Sequence, residues 1–133
     1  MNGSESTNVL VIDDSEVARA MMVNLLKDAG IGTLSLASAI GATRLILRSG
    51  VRVVVADISM PGLSGDKLVR VLRGVRRLEY LKIVLVSGLS DTELQEVRLL
   101  PGVDVVLAKR DIGTSLVPTV SRCLSSAALE LRP

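Results

Sequence analysis

Residues 53–57, Val53-Val54-Val55-Ala56-Asp57, form an apolar run of strand length that ends on a carboxylate. The same kind of ending recurs on either side. Val9-Leu10-Val11-Ile12 leads into Asp13-Asp14, and Val105-Val106-Leu107-Ala108 leads into Lys109. The runs Asn8 to Ile12, Val51 to Ala56 and Lys82 to Ser87 are nearly continuous in Val, Leu and Ile, as expected of strands covered on both faces in a parallel sheet. In an open parallel sheet the carboxyl ends of the strands face one crevice, so acids more than forty positions apart converge there with Lys109 and with Ser87. Three carboxylates gathered together repel one another unless a divalent cation sits among them.

Outward from these runs, apolar segments and amphipathic stretches alternate five times, with no long linker or low-complexity segment. That alternation predicts a parallel α/β sheet. The predicted strands are Asn8 to Ile12, Thr33 to Ala37, Val51 to Ala56, Lys82 to Ser87 and Val103 to Ala108. Thr33 to Ala37 alternates apolar with polar residues, which predicts an edge. A first helix is expected from about Ser15 to Ala29, with Val17, Ala18, Met21, Met22, Leu25 and Ala29 at helical spacing and Gly30 as C-cap. A second is expected from about Ala39 to Ser49, closed by Gly50. The third follows the turn Pro61-Gly62-Leu63-Ser64-Gly65, with Leu68, Val71, Leu72 and Val75 as its stripe. Ser90-Asp91-Thr92-Glu93 has capping-box spacing, so the fourth begins at Asp91 and stops before Pro101-Gly102. For the fifth, Thr114 or Ser115 as N-cap places Pro118 in the first turn, where its missing N–H is tolerated.

Composition excludes several functions. At 133 residues the chain is the size of one domain. Tyr80 is its only aromatic residue, so the core must be aliphatic and stacking on nucleic-acid bases is nearly excluded. Without histidine there is no imidazole base, no histidine metal ligand and no Ser-His-Asp triad. A single cysteine, Cys123, rules out an internal disulfide and suits a reducing compartment. Its helical spacing with Val120 and Ala127 reads as a small core residue. A net charge of +2 does not by itself imply nucleic acid. Arg70, Arg73, Arg76 and Arg77, with Arg48 and Arg52, therefore read as a solvated basic face. Met1 to Thr7 lacks the marks of a signal peptide and reads as a disordered tail, and no apolar run is long enough to span a membrane. A cytoplasmic protein is expected.

The acidic pair Asp13-Asp14, the segment Asp57-Ile58-Ser59-Met60-Pro61-Gly62, the strand-end hydroxyl Ser87 followed by Gly88, and Lys109 together resemble the receiver domains of two-component response regulators, including chemotaxis-type single-domain receivers. The resemblance runs from about Asn8 to Ala127 and implies a doubly wound, flavodoxin-like (βα)5 sheet of order 2-1-3-4-5. The expected receiver domain covers residues 8–128, with residues 129–133 as a C-terminal tail. By the same resemblance Asp57 is the phosphoacceptor. Asp13 and Asp14, with Asp57 and the backbone carbonyl of Ser59, hold Mg²⁺ or Mn²⁺. Lys109 pairs with a phosphoryl oxygen, Ser87 donates its hydroxyl to another, and Gly88 leaves room in the phosphoryl pocket. The implied donor is a sensor histidine kinase or a histidine phosphotransfer protein. The implied output is contact with a downstream protein, or a second copy, on the face of helix four, strand five and helix five. Direct nucleic-acid or membrane binding and turnover of an external substrate are not expected.

Three positions depart from the family pattern. Arg110 follows Lys109 where the family usually has a cis proline, so a trans Lys109–Arg110 peptide is expected, because a non-proline cis bond costs about 2.5–4 kcal/mol. Val106 stands where the family usually carries the Tyr or Phe that swings inward on phosphorylation. Leu89, two residues past the hydroxyl, cannot orient a hydrolytic water, so slow loss of phosphate is expected. Val106 and Arg110 together favour weak coupling and supply one alternative, a pseudo-receiver-like binding module whose output phosphorylation does not control. The other alternative is a Mg²⁺-dependent phosphatase of the haloacid-dehalogenase type. It is disfavoured because such enzymes usually show D-x-D at the first strand, whereas the pair here is adjacent. Finally, Ile112 to Ala128 carries only Arg122 as a charge, which fits either an apolar contact surface or a deeply packed helix.

Overall fold

The computed structural model describes residues 7–130, with side chains described for residues 7–126. The expected N-terminal tail falls almost wholly outside these limits, as do residues 131–133. Five strands, β1 (Val9–Ile12), β2 (Thr33–Leu36), β3 (Val53–Asp57), β4 (Lys82–Ser87) and β5 (Val105–Ala108), alternate with α1 (Glu16–Asp28), α2 (Ala42–Ser49), α3 (Gly65–Arg73), α4 (Asp91–Arg98) and α5 (Ile112–Glu130). Short 3-10 turns occupy Arg76–Leu78 and Lys109–Asp111. The sheet is parallel with order β2-β1-β3-β4-β5, as expected.

Successive strand residues point to opposite faces, so each run feeds two cores. Leu10, Ile12, Val54, Ala56, Ile83 and Leu85 face α2, α3 and α4, meeting Ile46, Leu68, Leu72 and Leu94. Val9, Val11, Val53, Val55, Val84 and Val86 face α1 and α5, meeting Met22, Leu26, Leu116 and Val120. Both cores are aliphatic. β2 is an edge, and its residues are only partly covered. Register aligns Ile12 with Ala56, Asp57 with Val86 and Ser87 with Ala108, so the polar residues that end these runs emerge along one rim.

The helices depart from the expected stripes in defined ways. On α1 the fully buried residues are Met22 and Leu26, while Val17 is 81% exposed and Met21 is half exposed. On α3, Gly65, Leu68, Val69 and Leu72 face inward and Val71 lies outside. Each true stripe is the one that turns toward the sheet, which periodicity alone does not select when apolar residues also flank it. α2 starts at Ala42 instead of Ala39, because Gly41 takes a left-handed conformation (φ +83°) that breaks the helix on its N-terminal side. The capping box at Ser90 and Glu93 starts α4 as expected.

The fifth helix differs most. It begins at Ile112, directly after the 3-10 turn, so Pro118 is its seventh residue and not in the first turn. Starting there points Ile112, Leu116, Val120 and Cys123 inward. Thr114 Oγ donates to the Asp111 carbonyl (3.2 Å) and does not act as the helix N-cap. Thr114 and Pro118 are both exposed, so the hydrogen bond that proline cannot make is missing on the solvent side. This poorly charged segment packs one side into the core through Ile112, Leu116, Val120 and Cys123, while its outward described residues include Gly113, Thr114, Pro118, Ser121 and Ser125.

Arg73 is also not simply solvated. Its guanidinium donates to the Gly102 carbonyl (2.9 Å) and pairs with Asp104 (2.9 Å), whose carboxylate accepts the Ile83 N–H at 2.7 Å. Cys123 is buried, and burial together with the Asp104 charge pushes its thiol pKa up.

Candidate functional site

Asp13 follows β1 directly and is fully buried. Its Oδ1 accepts the Ser15 N–H at 2.8 Å, which turns the chain into α1. Its Oδ2 is buried with no hydrogen-bond partner among the described residues. Burial raises the Asp13 pKa, and the negative charges of Asp57 and Asp14 add to the rise, against the Ser15 N–H and Lys109. Asp14 beside it is exposed.

Asp57 is the last residue of β3 and only 3% exposed. Its Oδ1 accepts the Ser59 N–H at 3.1 Å, and its Oδ2 accepts from Lys109 Nζ, also at 3.1 Å. Lys109 Nζ lies 3.8 Å from Asp13 Oδ2, close enough to attract but beyond hydrogen-bond reach. Partial burial disfavours the Lys109 ammonium. Its hydrogen bond to Asp57 and the charges of Asp57, Asp13 and Asp14 outweigh that effect and hold its pKa above the ordinary lysine value.

One carboxylate oxygen from each of Asp13, Asp14 and Asp57 falls within a span of 4.8 Å. Three carboxylates facing one ammonium leave an excess of two negative charges, and the buried Asp13 Oδ2 lacks a donor. An all-oxygen set with this excess and an unpartnered ligand atom fits a hard divalent cation such as Mg²⁺ or Mn²⁺.

Ser87 ends β4 and is fully buried. Its Oγ accepts the Leu89 N–H at 3.0 Å, which leaves the hydroxyl proton available for donation. Gly88 faces Lys109: a Cβ added there would lie 3.8 Å from Lys109 Cδ. Gly65 is required for a different reason. A Cβ there would come within 2.8 Å of Ile58 Cα and 2.9 Å of the Asp57 carbonyl oxygen, so α3 can begin this close to the end of β3 only without a side chain.

The acids and Lys109 thus meet as the sequence led us to expect, and Ser59 reaches Asp57 through its N–H. Lys109–Arg110 is trans, there being no cis peptide bond among the described residues. Val106 is 8% exposed and packed into the core on the α4 side of the sheet. Two groups near the site escaped sequence reasoning. Arg19 Nη1 donates to the Asp13 backbone carbonyl at 2.8 Å, a contact made possible because its place on α1 brings a long side chain back over the end of β1. Arg110 Nη2 pairs with Asp91 Oδ1 at the start of α4. The only sequence signal for that pair was a charged residue in place of the family's proline.

A family model described as "Response regulator receiver domain" matches residues 9–118. The chain is 36% identical over 82 residues to the chemotaxis protein CheY of Pseudomonas aeruginosa, an alignment covering 60% of this chain and 65% of that protein. Among solved structures, a response regulator receiver protein from Pseudomonas putida is 32% identical with a TM-score of 0.74, covering 87% of this chain and 96% of that one. A response regulator receiver domain protein from Clostridium thermocellum reaches a TM-score of 0.82 at 21% identity, covering 94% of this chain and 99% of that one, a likeness of fold. No helix among the described residues is long and apolar enough to cross a membrane.

Proposed function

The chain belongs to the response regulator receiver domains of two-component signalling, and from that premise we propose that it accepts a phosphoryl group on Asp57 and passes the signal on by protein contact. The observation that carries this is the contact of Lys109 Nζ with Asp57 Oδ2 at 3.1 Å, beside a buried and unpartnered Asp13 Oδ2. A cation and a carboxylate are thus held where a phosphoryl group on Asp57 would need its charge balanced.

In the proposed reaction a carboxylate oxygen of Asp57 bonds to phosphorus while the bond from phosphorus to the donor breaks, the bonding electrons leaving with the donor. Lys109 transfers its ammonium contact from the carboxylate to a phosphoryl oxygen. Ser87 turns its free hydroxyl proton toward another, and Gly88 leaves space beside them. The Ser59 N–H keeps Asp57 in one orientation throughout, which lowers the entropic cost of alignment. Asp13, Asp14 and Asp57, with the Ser59 carbonyl, would hold Mg²⁺ or Mn²⁺, whose chemistry is to neutralise clustered acids and phosphoryl charge. The proposed donor is a sensor histidine kinase or a histidine phosphotransfer protein, and the proposed output face is α4, β5 and α5, where Leu99 is 82% exposed.

Incubation with acetyl phosphate and Mg²⁺, followed by phosphoprotein electrophoresis, tests the proposal. A shifted band that Asp57→Ala abolishes is the expected result, and an unshifted wild type would refute it. A second reading has its own support. Val106 is already packed in the core and cannot make the large swing of an aromatic side chain, which favours a binding module only weakly controlled by phosphate. A pull-down comparing wild type with Asp57→Ala and Asp57→Glu separates the two: partners retained equally by all three support the second.

A further inference from the structure

β4 and β5 lie side by side, with Ser87 in register with Ala108. Beyond that point the chains diverge. β4 runs through Gly88, Leu89 and Ser90 into α4, and β5 runs through Lys109 into its 3-10 turn. The two paths are joined again by the ion pair of Arg110 Nη2 with Asp91 Oδ1. Ser87, Gly88 and Lys109 therefore sit inside a closed loop: the Ser87–Ala108 register position at one end, the Asp91–Arg110 pair at the other, and three intervening residues on the β4 side. The stem of Lys109 lies against Gly88 within this loop.

We infer that Arg110 is a positioning residue for the phosphoryl pocket. It acts through its neighbour Lys109 and through the Gly88–Ser90 segment, and Asp91 is its anchor. The inference rests on the proposed phosphoacceptor role of Asp57. Three observations fix this assignment. First, Lys109 reaches Asp57 from an edge strand of only four residues, so its approach depends on what holds the turn that follows. Second, the turn's own backbone supplies a bond from the Ile112 N–H to the Lys109 carbonyl, and nothing in that bond restrains the turn relative to α4. Third, Asp91 is the first residue of α4, whose N-terminal backbone is organised by Ser90 and Glu93, so the carboxylate that receives Arg110 is itself presented from an ordered helix start.

Both partners are largely exposed, 60% for Arg110 and 82% for Asp91 in their side chains. An exposed pair of this kind has a small effect and is screened by salt. The consequence is a modest, salt-sensitive bias on pocket geometry. It is not an all-or-none requirement.

The test is titration of the Mg²⁺-saturated full chain with beryllofluoride, a phosphoryl mimic, followed through backbone amide shifts at low and at high salt. Arg110→Ala and Asp91→Ala should each weaken the apparent affinity about two- to five-fold at low salt. The double variant should be no weaker than either single one, and the differences should shrink at high salt. Arg110→Lys should restore part of the loss, and the exchange Arg110→Asp with Asp91→Arg should restore more than either reversal alone. A purely structural role at the α4 N-terminus would give losses that add in the double variant and that no exchange rescues. That result, or unchanged affinity in both single variants with a wild type that binds, overturns the inference. A wild type that shows no shifts at Asp57, Ser87 and Lys109 would instead overturn the phosphoacceptor reading, and this inference with it.

Discussion

The two halves of the site are built differently. Asp13 and Asp57 stand at the ends of β1 and β3, central strands whose every residue is buried, and each carboxylate is pinned by the N–H two residues further on, that of Ser15 or Ser59. Ser87 at the end of β4 repeats the device with the Leu89 N–H. Lys109 at the end of β5 cannot, because an ammonium accepts no hydrogen bond. Its turn is instead a 3-10 step on an edge strand, steadied by an exposed ion pair. The difference shows where rigidity is imposed. Acids that would repel one another are held by backbone donors in the interior, whereas Lys109, which the proposed phosphorylation would shift from carboxylate to phosphoryl oxygen, stands at the end of the edge strand.

Four substitutions test this contrast. Lys109→Ala should reduce phosphorylation by acetyl phosphate about 100-fold, the scale on which a lost charge-stabilising donor is felt. A rate within a few-fold of wild type would make the edge half dispensable. Gly65→Ala strikes the locked half: its new Cβ meets the backbone at Ile58 and Asp57, so urea unfolding should show a loss of about 2 kcal/mol. An unchanged midpoint would mean that the β3–α3 corner yields more readily than its packing implies.

Smaller effects are expected from the two remaining tests. Leu89→Glu places a carboxylate beside the Ser87 turn and should speed loss of the phosphoryl group on the order of tenfold, below the ~100-fold of a well-placed base. A phosphoprotein as long-lived as the parent would remove the link between Leu89 and slow dephosphorylation. Asp13→Asn should raise stability in the absence of metal by about 1 kcal/mol, since a buried acceptor without a donor is costly when charged. Mg²⁺ should raise the melting temperature of the wild type, and this substitution should abolish that rise. The sign with pH follows from the raised Asp13 pKa: the folded state binds the proton more tightly than the unfolded chain. The Asp13 contribution to metal-free stability therefore falls as pH rises above 3.8 and through the folded-state value. Thermal melts in chelator across that range, with Asp13→Asn as the flat reference, measure it.

Much of this architecture is legible in the sequence. Apolar runs of strand length alternating with amphipathic stretches predict a parallel α/β sheet, and an open sheet of this kind brings its strand ends to one rim. Helix faces were harder to read. Val17 and Val71 fall at helical spacing with the true core residues yet lie outside, because the orientation of a helix about its axis is settled by the sheet beneath it. The start of α5 was misplaced for a similar reason: the inward set Ile112, Leu116, Val120 and Cys123 takes precedence over a plausible cap at Thr114.

From its sequence alone this protein's parallel α/β class, its aliphatic core and the meeting of Asp13, Asp14, Asp57 and Lys109 at one edge could be inferred, because residue periodicity is a local property that a parallel sheet converts into position; the strand order followed from the resemblance to receiver domains. Contacts between residues with no such periodic relation emerge from packing alone: Arg19 on the Asp13 carbonyl, Arg73 on Asp104, and Arg110 on Asp91. Long charged side chains choose partners by the distances and exposures that packing leaves them.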